Sequence, residues 1–467
     1  MLLLILNIGN DILMENSIIQ KYNVPGPRYT SYPTVPYWEE DSFTTEQWKE
    51  TMLRAFNDSN TTEGISLYIH LPFCESMCTF CGCNKRITRR HEVEEPYIAA
   101  VLKEWKLYCD LLPERPRIKE LHLGGGTPTF FSPENLDWLI NGILEHAEKA
   151  PNYEFSFEGH PNNTTRVQLQ KLYDLGFRRV SFGVQDYNER VQIAINRIQP
   201  FHNVAKVTFW AKEIGYTSIS HDLVFGLPFQ TMANITDTIE KTKSLNPDRI
   251  SFYSYAHVPW IKGNGQRGFD ESNLPKDEEK RFLYEEGKNL LAKKEFHEIG
   301  MDHFALETDS MHEAFKTGRL HRNFMGYSAS KTQLMIGLGV SSISDSWYSF
   351  AQNEKNIEAY YRRIEKNELP IFRGHLLTDE DLIIRKHILN LMCCFETSWE
   401  SEELYFDEIP DILINLHEME NDGLLEIREK SIIVTEKGKA FVRNICMAFD
   451  LRLKRKAPGT KLFSMTI

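Results

Sequence analysis

Between Ser66 and Tyr255 the chain alternates short apolar runs with helical stretches, and this rhythm restricts the fold more than any other feature. Ile65-Ser-Leu-Tyr-Ile-His-Leu71 is rich in β-branched and large apolar residues and is broken by Pro72, so it reads as a buried strand. A helical pattern over 94–112 follows, then a strand at Ile118-Lys-Glu-Leu-His-Leu123 that ends in Gly124-Gly-Gly-Thr-Pro-Thr129. The next helix starts at Pro133 with Ser132 as its N-cap. Tyr153-Glu-Phe-Ser-Phe-Glu158 alternates as a strand does, and a helix near 164–175 ends at Gly176. Strands at 178–185, 218–225 and 249–255 complete the series, with helices at 202–214 and 231–245 between them. This order gives about six parallel βα units. Periodicity alone does not separate an incomplete barrel from a doubly wound sheet. In either fold the chemistry belongs at the carboxyl ends of the strands.

The first strand delivers Cys74-Glu-Ser-Met-Cys78-Thr-Phe-Cys81-Gly-Cys83, four thiols spaced C-x3-C-x2-C-x-C. Thiolates this dense suit a soft metal or an iron–sulfur cluster. Four ligands would close a tetrahedral zinc site, whereas three on a cluster leave one iron open. Unligated buried cysteines are the remaining reading. A disulfide pair is disfavoured because the chain shows no secretory context.

Composition narrows the class. A chain of 467 residues holds two or three domains, and 41% apolar with 26% charged residues is ordinary for a soluble globular protein. The net charge of -12 argues against a general nucleic-acid binder, so an anionic ligand must be met by local basic residues. The opening run Met1-Leu-Leu-Leu-Ile-Leu-Asn-Ile is too short to span a bilayer and has no basic residues ahead of it. It reads as an upstream extension, with Met14 as the alternative start. Eight cysteines, half of them in one loop, suit a reducing cytoplasm and a metal cofactor.

Other stretches are aimed at a ligand. Glycines at 124–126 let backbone groups approach closely, although a tight turn explains them equally well. Glu158, Gln185 and Asp222 sit near successive strand ends and point to one cavity rim, suited to ribose hydroxyls or an ammonium. Arg197 follows the Gln185 strand and offers a bidentate fork for a carboxylate. The proline- and tyrosine-rich segment 21–37 is an irregular arm, either a packed connector or a lid that brings Arg28 to a site. From about Ala351 the texture changes to helices at 354–367 and 379–392, then strand, strand, helix over 424–444, a winged-helix-like pattern read as a packing domain.

The C-x3-C-x2-C spacing with Phe80 before the third cysteine is the pattern of radical S-adenosylmethionine (SAM) enzymes, which this loop resembles. Within them the chain is similar to the oxygen-independent coproporphyrinogen III oxidase family, from about Lys21 to Cys446. The match includes Gly26-Pro-Arg-Tyr-Thr-Ser-Tyr-Pro-Thr34, Phe182-Gly-Val-Gln-Asp186, Asp222-Leu-Val-Phe-Gly-Leu-Pro228, Tyr255-Ala-His257, Gly300-Met-Asp-His-Phe-Ala305, His321-Arg-Asn-Phe324 and Arg443-Asn-Ile-Cys-Met447. Cys83 is a feature of this family, where haem-trafficking paralogues typically carry Cys-x-Phe.

The resemblance implies an α/β fold: an incomplete TIM-like (β/α)6 barrel over residues 61–350, an N-terminal arm and leading helix over 1–60, and a mainly helical, winged-helix-like domain over 351–467. It implies a [4Fe–4S] cluster on Cys74, Cys78 and Cys81, with the fourth iron left for SAM. Two SAM molecules are associated with the family. Tyr68, Gly125, Glu158 and Ile343 match the positions lining one; Phe80, Gly126, Thr127, Gln185, Arg197, Asp222 and Ala256 match those lining the other. The implied reaction converts two propionates of coproporphyrinogen III to vinyl groups, giving protoporphyrinogen IX. Its hydrogen abstraction comes from the cofactor, because no side-chain acid or base removes an unactivated hydrogen at pH 7. Arg28, Lys85, Arg86, His303 and Arg322 are the candidates for gripping the substrate carboxylates. A reductase or a flavodoxin- or ferredoxin-type donor, a monomeric cytoplasmic enzyme, and no nucleic-acid or membrane partner complete the expectation. One departure is Gly159-His160-Pro161 after Glu158, where the family commonly has a short apolar residue, Asp and Pro. Another radical SAM tetrapyrrole reaction, such as anaerobic haem degradation or methyl transfer, and a cluster-bearing haem chaperone are the competing readings.

Overall fold

The computed structural model of the protein describes residues 17–38, 42–260, 265–266, 268–293, 295–456, 458–459 and 462–466. The opening apolar run and Met14 lie outside them.

Helix α1 (Thr45–Ser59) starts on a capping box between Thr44 and Gln47, and leads into β1 (Ile65–Leu71). β1 opens a series of six βα units, completed by the elements that follow. They comprise α2 (Glu94–Cys109), β2 (Arg117–Gly125), α3 (Pro133–Glu145), β3 (Glu148–Gly159), α4 (Arg166–Asp174), β4 (Phe177–Gln185), α5 (Phe201–Ile214), β5 (Ser218–Phe225), α6 (Met232–Ser244), β6 (Arg249–Ser254) and α7 (Asp277–Ala292). The helix boundaries follow local chemistry. Ser132 caps α3 through the Asn135 N–H, Thr165 and Thr231 close capping boxes at α4 and α6, and α5 stops at Gly215 with φ 109°.

The remaining sheet strands are β7 (His297–Gly300), β8 (His303–Ala305), β9 (Met335–Leu338), β10 (Ile343–Asp345), β11 (Ser349–Asn353) and β12 (Ile371–Leu376); α8 (Ser310–Lys316) follows β8, and α9 (Ile357–Glu365) precedes β12. All twelve form one sheet in the order β12-β11-β10-β9-β1-β2-β3-β4-β5-β6-β8-β7. Strands β1 to β6 are parallel, as is β9 to β1, and the flanking strands are antiparallel. This is the expected α/β partial barrel, with both edges open. The sheet also runs on to Leu376, past the expected boundary at 350. Ser349-Phe-Ala-Gln-Asn353 carries few apolar residues, yet all five are buried, so its strand character comes from its neighbours.

Helices on the outer face bury Trp48, Trp105, Phe155, Phe157 and Phe177 completely. A second core belongs to α10 (Asp379–Cys394), α11 (Ile409–Asn421) and α12 (Val442–Phe449), with a small sheet of Glu396–Ser398, Ser431–Val434 and Leu425–Ile427. The arm packs into this core. Tyr29 donates to Asp450, Arg443 Nε donates to the Pro27 carbonyl, and Tyr22 and Tyr32 are buried there. It is a packed segment that also touches the sheet: Arg28 pairs with Asp302, beside β8, and Trp38 stacks on Phe350 of β11 at 5.0 Å. Among the described residues no helix is long and apolar enough to cross a membrane.

Candidate active site

The loop after β1 carries the thiols across the carboxyl ends of the parallel strands. Cys74, Cys78, Cys81 and Cys83 line one cavity of about 720 Å3, together with Phe80, Lys85 and the ends of β2 to β5. The loop is pinned from several sides. The His70 ring hydrogen-bonds the Asn84 carbonyl at 2.9 Å, Asn196 Nδ2 donates to Met77 O at 2.7 Å, and Thr79 Oγ1 donates to Ala194 O at 2.9 Å. Buried Gln266 donates to both Phe80 O and Ala256 O at 3.0 Å, and accepts from Val258 N at 2.6 Å.

The glycine run is demanded by packing. A side chain at Gly125, where φ is 112°, would meet the His70 ring at 2.7 Å, and one at Gly126 would meet the Pro72 backbone at 2.6 Å. The turn thereby brings Thr127 to the loop, where its hydroxyl donates to Cys74 Sγ at 3.3 Å.

The thiols differ in their surroundings. Burial pushes Cys74 up to about 11. Cys81 is shifted the other way, by a hydrogen bond from Cys83 and by the charges of Lys85 and Arg197. Arg197 Nη1 lies 3.8 Å from Cys78 Sγ and Nη2 donates to Gly183 O at 2.7 Å. Its Nε is buried and has no partner among the described residues.

Glu158, Gln185 and Asp222 do share this cavity. Ser181 donates to Asp222 at 2.8 Å, and burial raises that carboxyl to about 6. Gln185 holds φ 67° at the end of β4, a left-handed conformation that few non-glycine residues adopt. Tyr68 lies just behind the rim: its ring stacks on His122, and a side chain at Gly124 would touch both Tyr68 and Glu158. Ile343 is two strands further on, its backbone against Gly337, the residue paired with Tyr68. Ala256 reaches the site through Gln266.

His160 lines the same cavity as a neutral ring, because burial and Arg197 both disfavour its charged form. Its Nδ1 accepts from the Asn162 N–H at 3.2 Å, the turn-capping bond an aspartate can also make.

The five candidates for gripping carboxylates separate, and one of them, His303, is held neutral because burial lowers it to about 4. Arg28, His303 and Arg322 gather on one side, behind Tyr253, which lines the cavity. His303 Nε2 is 3.3 Å from Tyr253 Oη, the Arg322 guanidinium lies 4.5 Å over the Tyr327 ring, and its Nη2 donates to the Arg28 carbonyl at 3.3 Å. Arg322 is buried, and its Nε and Nη1 have no partner among the described residues. Lys85 instead donates to the carbonyls of Cys81 and Cys83, at 3.2 and 3.3 Å. Arg86 is exposed and paired with Glu358 at 2.5 Å, away from the cavity lining. Gln266, Asn196 and Thr127 Oγ1 hold the loop without any motif in the sequence to mark the first two; their signal is the fold itself.

Comparison with known proteins decides the family. Residues 68–242 match the radical SAM superfamily. Oxygen-independent coproporphyrinogen III oxidase of Synechocystis is 37% identical, over 96% of this chain and 97% of its own length. The Escherichia coli enzyme of that name is 37% identical over 94% and 96%. This chain belongs to that family. The solved structure of coproporphyrinogen III oxidase from Escherichia coli, described as a radical SAM enzyme, superposes with a TM-score of 0.86 at 36% identity, covering 91% of this chain and 98% of that one. Helicobacter pylori supplies another family member, 38% identical over 96% of this chain.

The pocket fits the family's cofactors, a [4Fe–4S] cluster and SAM. Three thiols converge beside two cations, Lys85 and Arg197, and Arg197 carries a buried Nε with no partner among the described residues.

Proposed function

We propose that this chain carries out the oxidative decarboxylation of two propionate side chains of coproporphyrinogen III to vinyl groups, giving protoporphyrinogen IX. The observation that carries this reading is the convergence of Cys74, Cys78 and Cys81 with Glu158, Gln185, Arg197 and Asp222 on one cavity, in a chain whose relatives bear that activity in their names. When bound there, the cluster and SAM supply the one-electron chemistry that takes an unactivated hydrogen from a propionate arm.

The chain's own part is to hold and to exclude. Cys74, Cys78 and Cys81 are the cluster ligands; Cys83 stays a neighbour that hydrogen-bonds the Cys81 sulfur. Arg197 offers its unpaired Nε to a SAM carboxylate, while Gln185 and Asp222 take ammonium and ribose groups. Gly126 and Thr127 present backbone beside the nucleotide, and Phe80 and Ala256 wall it in. Tyr68 and Ile343, with Gly125 and Glu158, line a second SAM position. Phe130 and Phe131 at the wall help to keep water away.

Arg322 is the best-placed grip for a substrate carboxylate, since two of its N–H groups lack partners in a buried site. Arg28, itself paired with Asp302, and the neutral His303 adjoin it and hold its surroundings. Lys85 and Arg86 are already engaged, on loop carbonyls and Glu358, and take no carboxylate in this scheme. A reductase or flavodoxin- or ferredoxin-type donor, a monomeric state and a cytoplasmic location complete the proposal. All eight cysteines are free, which suits a reducing compartment.

The test is anaerobic turnover of coproporphyrinogen III with SAM and a reductant. Fluorescent protoporphyrin after oxidation of the product is expected from the native protein and not from Cys81→Ala. Haem retention without SAM cleavage would favour a haem chaperone instead.

A further inference from the structure

We propose that His297, Glu307 and His312 form a binding site for a divalent transition-metal ion of the zinc type, separate from the thiol loop. The three residues come from different elements: the first residue of β7, the segment after β8, and α8. One ring nitrogen of each histidine and a Glu307 carboxylate oxygen all lie within 4.8 Å of one another. His297 Nε2 is 3.7 Å from Glu307, and the two imidazole centroids are 4.7 Å apart.

The site lies at the far end of the sheet from the thiols. Ala305 pairs with Arg249, the first residue of β6, and His297 pairs with Ala305. That places the cluster at the amino ends of the parallel strands.

The geometry is built from beneath. Arg249 and Asp309 are both buried, and Arg249 Nε donates to Asp309 at 2.7 Å. Asp309 in turn caps α8 by accepting from the Met311 N–H at 2.7 Å. This anchored turn fixes the neighbouring His312, whose side chain is buried and which hydrogen-bonds the Glu307 backbone. Such a bond orients a ligand ring and selects the nitrogen that faces the metal.

Two imidazoles and one carboxylate are a zinc-type donor set, and three protein ligands leave a fourth position for water. Bond lengths of about 2.0–2.2 Å require the set to draw inward. His297 and Glu307 are exposed and can move to do so, while His312 stays put. Lys316, 3.4 Å from Glu307, is the cation the metal would displace. A bound ion would tie α8 to the outer edge of the sheet.

The experiment uses cluster-loaded protein, so that the thiols are occupied. Zinc(II) is titrated against a chromophoric chelator, and the zinc X-ray absorption edge is recorded. One tight site per chain is expected, with only nitrogen and oxygen neighbours. In His297→Ala and Glu307→Ala, both surface changes that leave the core intact, affinity falls by at least the roughly 10- to 100-fold seen on losing an outer partner of a metal ligand. Zinc should raise the melting temperature of the native protein and not of these variants. Sulfur neighbours at about 2.3 Å, affinity unchanged in both variants, or no tight zinc binding would each overturn the proposal.

Discussion

Arg197 Nη1 lies 3.8 Å from the Cys78 sulfur while its Nη2 holds the Gly183 carbonyl at 2.7 Å. One guanidinium thus joins the thiol loop to the carboxyl end of β4. It also keeps a buried N–H in reserve. A lysine reaches the same region as a point charge but cannot make these contacts together. Arg197→Lys should weaken SAM binding by roughly 10- to 150-fold, the equivalent of one charged hydrogen bond at about 1.5–3 kcal/mol. Anaerobic equilibrium dialysis checks this, with iron content unchanged.

Asp222 supplies a pH dependence. Burial raises its carboxyl to about 6 against an ordinary value of 3.8. Below that point it is neutral and accepts poorly; above it the anion is available. SAM affinity should therefore decline as pH falls through about 6, and Asp222→Asn should bind weakly with a flat profile. Affinity measured from pH 5 to 8 separates the two behaviours.

Glu104 supplies another, in stability. It is buried, accepts from Gly339 N at 2.8 Å, Tyr360 Oη at 2.7 Å and Asn353 Nδ2 at 2.6 Å, and is still pushed up to about 7 by desolvation. Between about 4.5 and 7 the folded state holds a proton the unfolded chain has lost, so its contribution to stability falls as pH rises through that window. Glu104→Gln should be less stable by about 1–3 kcal/mol at low pH, since one donor then faces an amide N–H. Its denaturation midpoint should also vary less with pH.

Much of this was legible in the sequence. The parallel strands β1 to β6 announced themselves because each carries an apolar run or a clean apolar alternation and ends at a glycine, proline or polar turn. The helix caps at Ser132 and Gly215 were legible because capping is local chemistry. The thiol loop and the rim formed by Glu158, Gln185 and Asp222 followed from placing motifs at strand ends. The outer strands did not show: β8 and β10 are three residues each, and β11 is mostly polar, so their pairing depends on partners far away in the chain. Lys85 and Arg86 looked equivalent to Arg322 as charges. Only packing distinguishes a cation already spent on Glu358 from one buried with unsatisfied N–H groups.

Gln266 illustrates a residue that no motif marks. Its amide bridges Phe80 O, Ala256 O and Val258 N from a buried position. Gln266→Ala removes three part-buried hydrogen bonds to the loop and its neighbours, each worth about 0.5–1.5 kcal/mol. We expect lower iron and sulfide content after anaerobic purification and a lowered melting temperature, read by colorimetric assay and calorimetry.

Gly126→Ala tests the close approach of β2 to the thiol loop. The new methyl would lie 2.6 Å from the Pro72 backbone, and overpacking of this kind costs about 1–3 kcal/mol. Cluster loading should fall more than global stability, because Pro72 leads directly into Cys74. Iron content and thermal unfolding measured on one sample decide it.

The central claim is that three thiols, Cys74, Cys78 and Cys81, hold a cluster whose remaining iron is open to SAM. Electron paramagnetic resonance of the reduced, oxygen-free protein tests it most directly, recorded with and without SAM on the native chain and on Cys83→Ala. The account predicts a SAM-induced change of the cluster signal in both. A signal indifferent to SAM, or one that responds only after Cys83 is removed, would mean a fourth cysteine caps the cluster and would contradict it.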